Sequence, residues 1–131
     1  MSLNVTRTET PDTSAQILVV EDEVLLRAML SEVLRDAGYS VIEASNGDEA
    51  MVILSEMSPD LMVTDVRMPG SIDGIQLTAL IRATNVKLPI IITSAHLVHV
   101  ADPANGRTHF LPKPYDFDAV TELIGHELKQ H

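Results

Sequence analysis

The chain is 131 residues long, enough for one domain with a real core, and 45% of its residues are hydrophobic. Nine Lys plus Arg against nineteen Asp plus Glu give a net charge of −10, which repels a nucleic-acid backbone and argues against direct binding of DNA or RNA. The absence of cysteine excludes disulfides and thiolate metal sites and fits a reducing, cytoplasmic setting, and no apolar stretch approaches the roughly 20 residues that cross a bilayer, so no membrane association is expected.

Residues 1–15 are polar and aperiodic and read as a disordered leader or a tag remnant, leaving 16–131 as the domain. From Gln16 onward, short apolar runs alternate with amphipathic stretches, the pattern of βαβ units and a parallel sheet. Residues 17–20 are the first strand. A helix over about 23–37 follows, with Leu26, Met29, Leu30, Val33, Leu34 and Ala37 at three-to-four-residue spacing and Gly38 as a left-handed stop. Val41 and Ile42 mark a second strand. Ala50, Ile53, Leu54 and Met57 form the stripe of a helix over about 47–57, ended by Ser58-Pro59. Residues 61–64 are a third strand, and Ile75, Leu80 and Ile81 belong to a helix over about 73–84. Residues 90–93 and 109–112 are the fourth and fifth strands. Asp116 is placed to cap a last helix whose inner face is Phe117, Val120, Leu123, Ile124 and Leu128. Between Ser94 and Phe110, Asp102-Pro103 and Asn105-Gly106 are breaker signals, so a helix there is short or irregular. No repeat, second domain or linker is expected.

Four of the apolar runs end on charged or hydroxyl residues: Glu21-Asp22-Glu23, Asp65, Ser94 and Lys113. In a parallel sheet these carboxyl ends share one edge, where open α/β sheets hold their ligands. Glu21, Asp22 and Asp65 make an oxygen cluster suited to Mg²⁺, which prefers hard ligands and keeps several waters. Taken alone, Glu21-Asp22-Glu23 equally suits the positive N-terminus of the first helix, and Asp65 with Lys113 tips the balance toward metal. Asp65 is the candidate nucleophile, because carboxylates form acyl phosphates and the transfer needs positioning and charge neutralisation. Lys113 is the candidate cation for the transferred group and Ser94 a candidate hydrogen-bond donor to it. Each has an ordinary reading as well: Lys113 as a solvated edge residue, Ser94 as the end of a strand. His96 and His99 share a spacing that chelates metal on a helix, but no third ligand is evident. His109, His126 and His131 show no ligand or phosphotransfer arrangement.

Four motifs stand in order: Val19-Val20-Glu21-Asp22-Glu23, Thr64-Asp65-Val66-Arg67-Met68-Pro69-Gly70, Ile92-Thr93-Ser94-Ala95 and Leu111-Pro112-Lys113-Pro114. With this order and spacing, over about residues 17–128, the chain resembles the response-regulator receiver domains of two-component signalling, the CheY-like superfamily. The resemblance implies a flavodoxin-like, doubly wound sheet of five parallel strands in the order 2-1-3-4-5. It implies phosphorylation of Asp65 by a histidine kinase or histidine phosphotransfer protein, with Mg²⁺ held by Glu21, Asp22, Asp65 and the Arg67 backbone carbonyl. Lys113 contacts the phosphoryl group in this reading, Ser94 is the switch hydroxyl and Phe110 the switch aromatic. Lys113-Pro114 is expected to be a cis peptide that aims the lysine inward. Arg67 and His96 lie where a side chain tunes the lifetime of the phosphorylated state. The domain would signal to a downstream protein or an output domain, acting on its own Asp65 rather than as a turnover enzyme.

The chain departs from the family pattern in three places. Glu21 stands where Asp is commoner, the loop from Met68 to Gly74 is one residue longer, and the stretch from Ser94 to Lys113 is about three residues shorter. Pro103 and Gly106 fall where a fourth helix belongs, so a monomer or weak dimer is expected. Three alternatives stand beside the phospho-switch. One is a receiver excised from a hybrid histidine kinase or a larger transcriptional regulator. Another is a receiver that docks without phosphorylation, against which the complete acid, hydroxyl and lysine set argues. The third, an aspartyl phosphohydrolase, wants a second Asp two residues after the nucleophile, where this chain has Arg67.

Overall fold

A computed structural model describes residues 15–95 and 107–129. Residues 1–14 of the expected leader, the breaker-rich stretch after Ala95, and His96, His99 and His131 lie outside the described residues. Gln16–Val20 (β1), Ser40–Ala44 (β2), Leu61–Asp65 (β3), Ile90–Ser94 (β4) and Thr108–Pro112 (β5) form one sheet. Its order is β2-β1-β3-β4-β5 and every pairing is parallel. Val24–Asp36 (α1), Gly47–Glu56 (α2), Gly74–Arg82 (α3) and Phe117–Leu128 (α4) are the helices. This is the flavodoxin-like arrangement expected from the resemblance.

The near-continuous apolar runs are explained by burial on both faces. Alternate residues of β1 go to opposite sides: Leu18 and Val20 pack with Met62, Ile90 and Ile92 under Ala50, Leu77 and Ile81 of α2 and α3. Ile17 and Val19 pack with Leu61, Val63 and Ile91 under Leu30 and Leu34 of α1 and Val120 and Ile124 of α4. Two helices therefore cover each face. With β1, β3 and β4 walled in above and below, their side chains meet solvent at the strand ends, and the carboxyl edge is the one that carries the acids.

Three of the four helix starts are capped by a side chain. Asn46 caps α2 by accepting from the Glu49 N–H, and Asp73 with Gln76 forms a reciprocal capping box at α3. Asp116 caps α4 as expected, accepting from the Asp118 N–H at 3.0 Å. Gly38, at φ 105°, follows α1. Met57, expected in the buried stripe of its helix, is exposed, as are Met29 and Leu80 among the apolar residues that marked the other helices. The covered stripe on α1 is narrow, centred on Leu30 and Leu34 one turn apart, and Met29 lies at its border. Met57 lies past the end of α2 in extended backbone.

The last strand is joined to α4 by charge. Glu127, buried on α4, accepts from Arg107 Nε at 3.1 Å, and His109 Nε2 of β5 lies 3.0 Å from its other oxygen. His109 thus lies against a buried carboxylate that its spacing in the sequence did not reveal.

Candidate functional site

The carboxyl ends of β1, β3 and β5 bring Glu21, Asp22, Asp65 and Lys113 into one cluster. Lys113 Nζ donates to Asp65 Oδ2 at 3.1 Å and to Glu21 Oε1 at 3.2 Å, bridging two buried carboxylates. Glu21 Oε2 accepts from the Glu23 N–H at 3.0 Å. One carboxylate oxygen from each of Glu21, Asp22 and Asp65 lies within 4.8 Å of the others, Asp22 being the exposed member. The acids are therefore turned into the cleft. Glu23 stands at the N-cap of α1 but its side chain makes no capping bond, and the acid that meets the helix start is Glu21, through the Glu23 N–H.

The backbone beneath these side chains is pinned at several points. Glu21 N donates to the Ala44 carbonyl at 3.0 Å, and Arg27 reaches back from α1 to the Glu21 carbonyl at 2.7 Å while pairing with Glu43 at 3.2 Å. Val66 N donates to the Thr93 carbonyl at 3.1 Å, which continues the β3–β4 pairing past Asp65. Lys113 N donates to the Ser94 carbonyl at 2.8 Å, and the Lys113-Pro114 bond is cis. Ser94 is buried at the end of β4, tied to Lys113 through the main chain. Arg67 is exposed at the start of the loop after β3. Phe110 lies outside the cluster on β5, opposite Ile92 and 40% exposed.

Three carboxylates against one ammonium leave excess negative charge in a half-enclosed crevice. Burial, and then the charge of Asp65, push the Glu21 pKa above the ordinary glutamate range against the opposing Glu23 N–H and Lys113. Burial pulls Lys113 down, but its hydrogen bond to Asp65 and the charges of Asp65 and Glu21 outweigh that and hold it above an ordinary lysine. Tyr115, two residues past Lys113, feels the same field: burial, and then Glu21, Asp65 and Glu23, push its phenol well upward. Hard oxygen donors with uncompensated charge fit a small divalent cation. Arg27 and Tyr115 were not singled out by sequence. An arginine on the first turns of a helix reads as solvated, and only the offset of two from Lys113 points to Tyr115.

A pH effect follows from Glu21. Because its folded pKa is raised, its share of stability is present below the unfolded value of 4.5 and is lost as pH rises through the higher folded value. Without divalent cation, Glu21→Gln is therefore expected to gain stability relative to the parent as pH climbs from 4.5 through the mildly acidic range. Melting temperatures of the two proteins across that series check it, and a constant difference would contradict the sign.

The response regulator receiver domain family matches residues 17–125. The chain belongs to that family. It is accordingly a phosphoacceptor domain of two-component signalling. It is 34% identical over 111 residues to the DNA-binding transcriptional regulator NtrC of Salmonella typhimurium, covering 82% of this chain and 24% of that protein. It is 30% identical to sporulation initiation phosphotransferase F of Bacillus subtilis, covering 83% of this chain and 90% of that one. Among solved structures it resembles the response regulator TrrA of Thermotoga maritima, determined in complex with Mg²⁺-BeF, with 31% identity, a TM-score of 0.76, and coverage of 86% and 98%. The chain thus spans about a quarter of the length of the NtrC regulators it matches and most of a short phosphotransferase. Among the described residues no helix is long and apolar enough to cross a membrane.

Proposed function

We propose that Asp65 accepts a phosphoryl group from a phosphohistidine donor, a histidine kinase or histidine phosphotransfer protein, and that Lys113 stabilises the transfer. The observation that carries this reading is the Lys113 ammonium set 3.1 Å from Asp65 and 3.2 Å from Glu21, a cation already aimed at the acceptor carboxylate. A carboxylate oxygen of Asp65 forms its bond to phosphorus as the P–N bond of the donor breaks, and the departing imidazole takes up a proton. Lys113 spreads the charge on the equatorial oxygens, which is most of what such a transfer requires. Glu21, Asp22, Asp65 and the Arg67 carbonyl would hold Mg²⁺. When bound, it supplies further charge neutralisation and lowers the repulsion among the acids. The Mg²⁺-BeF complex of TrrA supports that assignment by similarity.

Val24 and Leu25, 69% and 67% exposed, with Met29 a turn later, form an apolar strip on α1 beside the acidic loop. A donor protein presenting its phosphohistidine to Asp65 would cover this strip. In the same reading Ser94 turns to the acquired phosphoryl oxygens and Phe110 repositions, carrying the change to a downstream protein or an output domain. The module modifies itself rather than turning over a substrate, acts in the cytoplasm and works as a monomer or weak dimer.

Mass spectrometry of the intact chain after acetyl phosphate and Mg²⁺ tests the chemistry. The expected result is a single adduct of about +80 Da, the mass of one phosphoryl group on the carboxylate nucleophile, absent in Asp65→Asn. No adduct on the parent, or one that survives in Asp65→Asn, overturns the reading.

A further inference from the structure

The loop from Val66 to Asp73 joins the acceptor strand to α3, and it carries Arg67. Its two ends are held locally: Gly74 N donates to the Val66 carbonyl at 2.8 Å, and the Asp73–Gln76 capping box fixes the exit. Its middle is held from another element. Asp48, in the first turn of α2, accepts from Ser71 Oγ at 2.7 Å and from Ser71 N at 3.3 Å. Asn46 already caps that helix, so the Asp48 carboxylate is free to reach across. Gly70 has φ +102°, and a Cβ there would lie 2.8 Å from Asp48 Oδ2. The backbone at Gly70 therefore approaches Asp48 as closely as it does because no side chain intervenes. This latch falls in the stretch from Met68 to Gly74, where the chain is one residue longer than the family pattern.

We propose that Asp48 is a positioning residue for the metal-binding loop, holding Gly70 and Ser71 so that the Arg67 carbonyl is kept at the acid cluster. The inference rests on the metal assignment made above. Asp48 touches neither metal nor phosphoryl group and acts through the loop. An over-long loop tied at its ends alone samples many placements of Arg67, and the latch removes that freedom before the ion arrives.

Calorimetric titration of the full chain with Mg²⁺ reads the effect directly, without phosphorylation. Asp48→Ala is expected to weaken Mg²⁺ binding about tenfold, the usual scale for losing a residue that orients a metal ligand. Ser71→Ala, which leaves the charge of Asp48 in place, is expected to weaken it about threefold, the scale of one hydrogen bond. The double variant should bind no more weakly than Asp48→Ala, since both changes remove the same contact. Unchanged affinity in Asp48→Ala overturns the proposal, even with a lowered melting temperature, because a merely structural role moves stability alone. It is equally overturned if Ser71→Ala is silent while Asp48→Asn matches Asp48→Ala, which would make the effect one of charge. A parent chain that binds Mg²⁺ but takes no phosphoryl group refutes the acceptor reading and leaves the latch to be judged by the affinities. A parent that binds no Mg²⁺ refutes both.

Discussion

In Lys113→Ala, phosphorylation of Asp65 by acetyl phosphate is expected to slow by about two to three orders of magnitude, the usual penalty for removing one preorganised donor to a developing anion. The same change should tighten Mg²⁺ binding several-fold. Lys113 Nζ lies 3.1 Å from Asp65 and 3.2 Å from Glu21, so its ammonium competes with a metal for the same carboxylates. Removing it leaves two buried acids facing each other with no fixed cation, which raises their demand for a mobile one. Rate and affinity thus move in opposite directions, which a general loosening of the site would not produce. Lys113→Arg should recover little of the rate, because a broad, planar guanidinium cannot reproduce a compact ammonium between two carboxylates. Time courses of the adduct by intact mass, together with calorimetric titration of Mg²⁺, decide the matter. A rate within threefold of the parent would remove Lys113 from the chemistry.

Gly74→Ala is expected to be the most damaging glycine-to-alanine change among the described residues. A Cβ at this position would lie 2.0 Å from the Asp65 carbonyl oxygen, 2.8 Å from the Asp65 carbonyl carbon and 3.0 Å from Val66 Cα. All three are backbone atoms, so no side chain can swing away. Neither partner is free to retreat. Val66 N is bonded to the Thr93 carbonyl at 3.1 Å, and Thr78 Oγ1 donates to the Gly74 carbonyl at 2.8 Å from within α3. The methyl therefore forces α3 off the end of β3 or breaks the turn, at a cost of about 3 kcal/mol or more. For a domain of this size that is a fall of roughly 10 °C in melting temperature. Because the clash is with Asp65 itself, the residual folded protein should also be a poor acceptor. Thermal unfolding without and with Mg²⁺ measures it, and a loss under about 2 °C would mean that the helix and strand end slide apart at little cost.

What was readable beforehand follows the physics of burial. β1, β3 and β4 are covered on both faces, so their sequences are unbroken apolar runs, and the residue at which each run stops marks the carboxyl edge. That is why Glu21, Asp22, Asp65 and Ser94 could be assembled from strand ends in the sequence, whereas Lys113 follows the half-exposed β5 and is marked by its Leu111-Pro112-Lys113-Pro114 setting. β2 is half-exposed over Ser40–Ala44, and only Val41 and Ile42 announced it. The helices were placed to within two residues at each end by their apolar spacing and their start and stop residues, the precision that local signals allow. Outward-facing Met57 was misplaced because periodicity marks an apolar residue without saying how wide the covered stripe is, and Met29 and Leu80 are exposed for the same reason.

Residues that act through distant partners left no such trace. Arg27 meets Glu43 sixteen positions on, Asp48 meets Ser71 after twenty-three, and Arg107 meets Glu127 after twenty. In sequence each is an ordinary surface charge on a helix or loop. Only the doubly wound topology, which stacks α1 against β2 and the start of α2 against the loop after β3, turns the first two into supports for the site and the third into a tie between β5 and α4.

The chain has no tryptophan and only two tyrosines, and one of them, Tyr115, lies in the field of Glu21 and Asp65. Its ring packs edge-on against Phe117, with centroids 5.9 Å apart, and is held at a fixed station beside the acids. The protein therefore contains its own optical reporter. Any change of charge between those two carboxylates alters the electric field across a single phenol, and the near-ultraviolet signal that results has at most one other tyrosine, Tyr39, to compete with it.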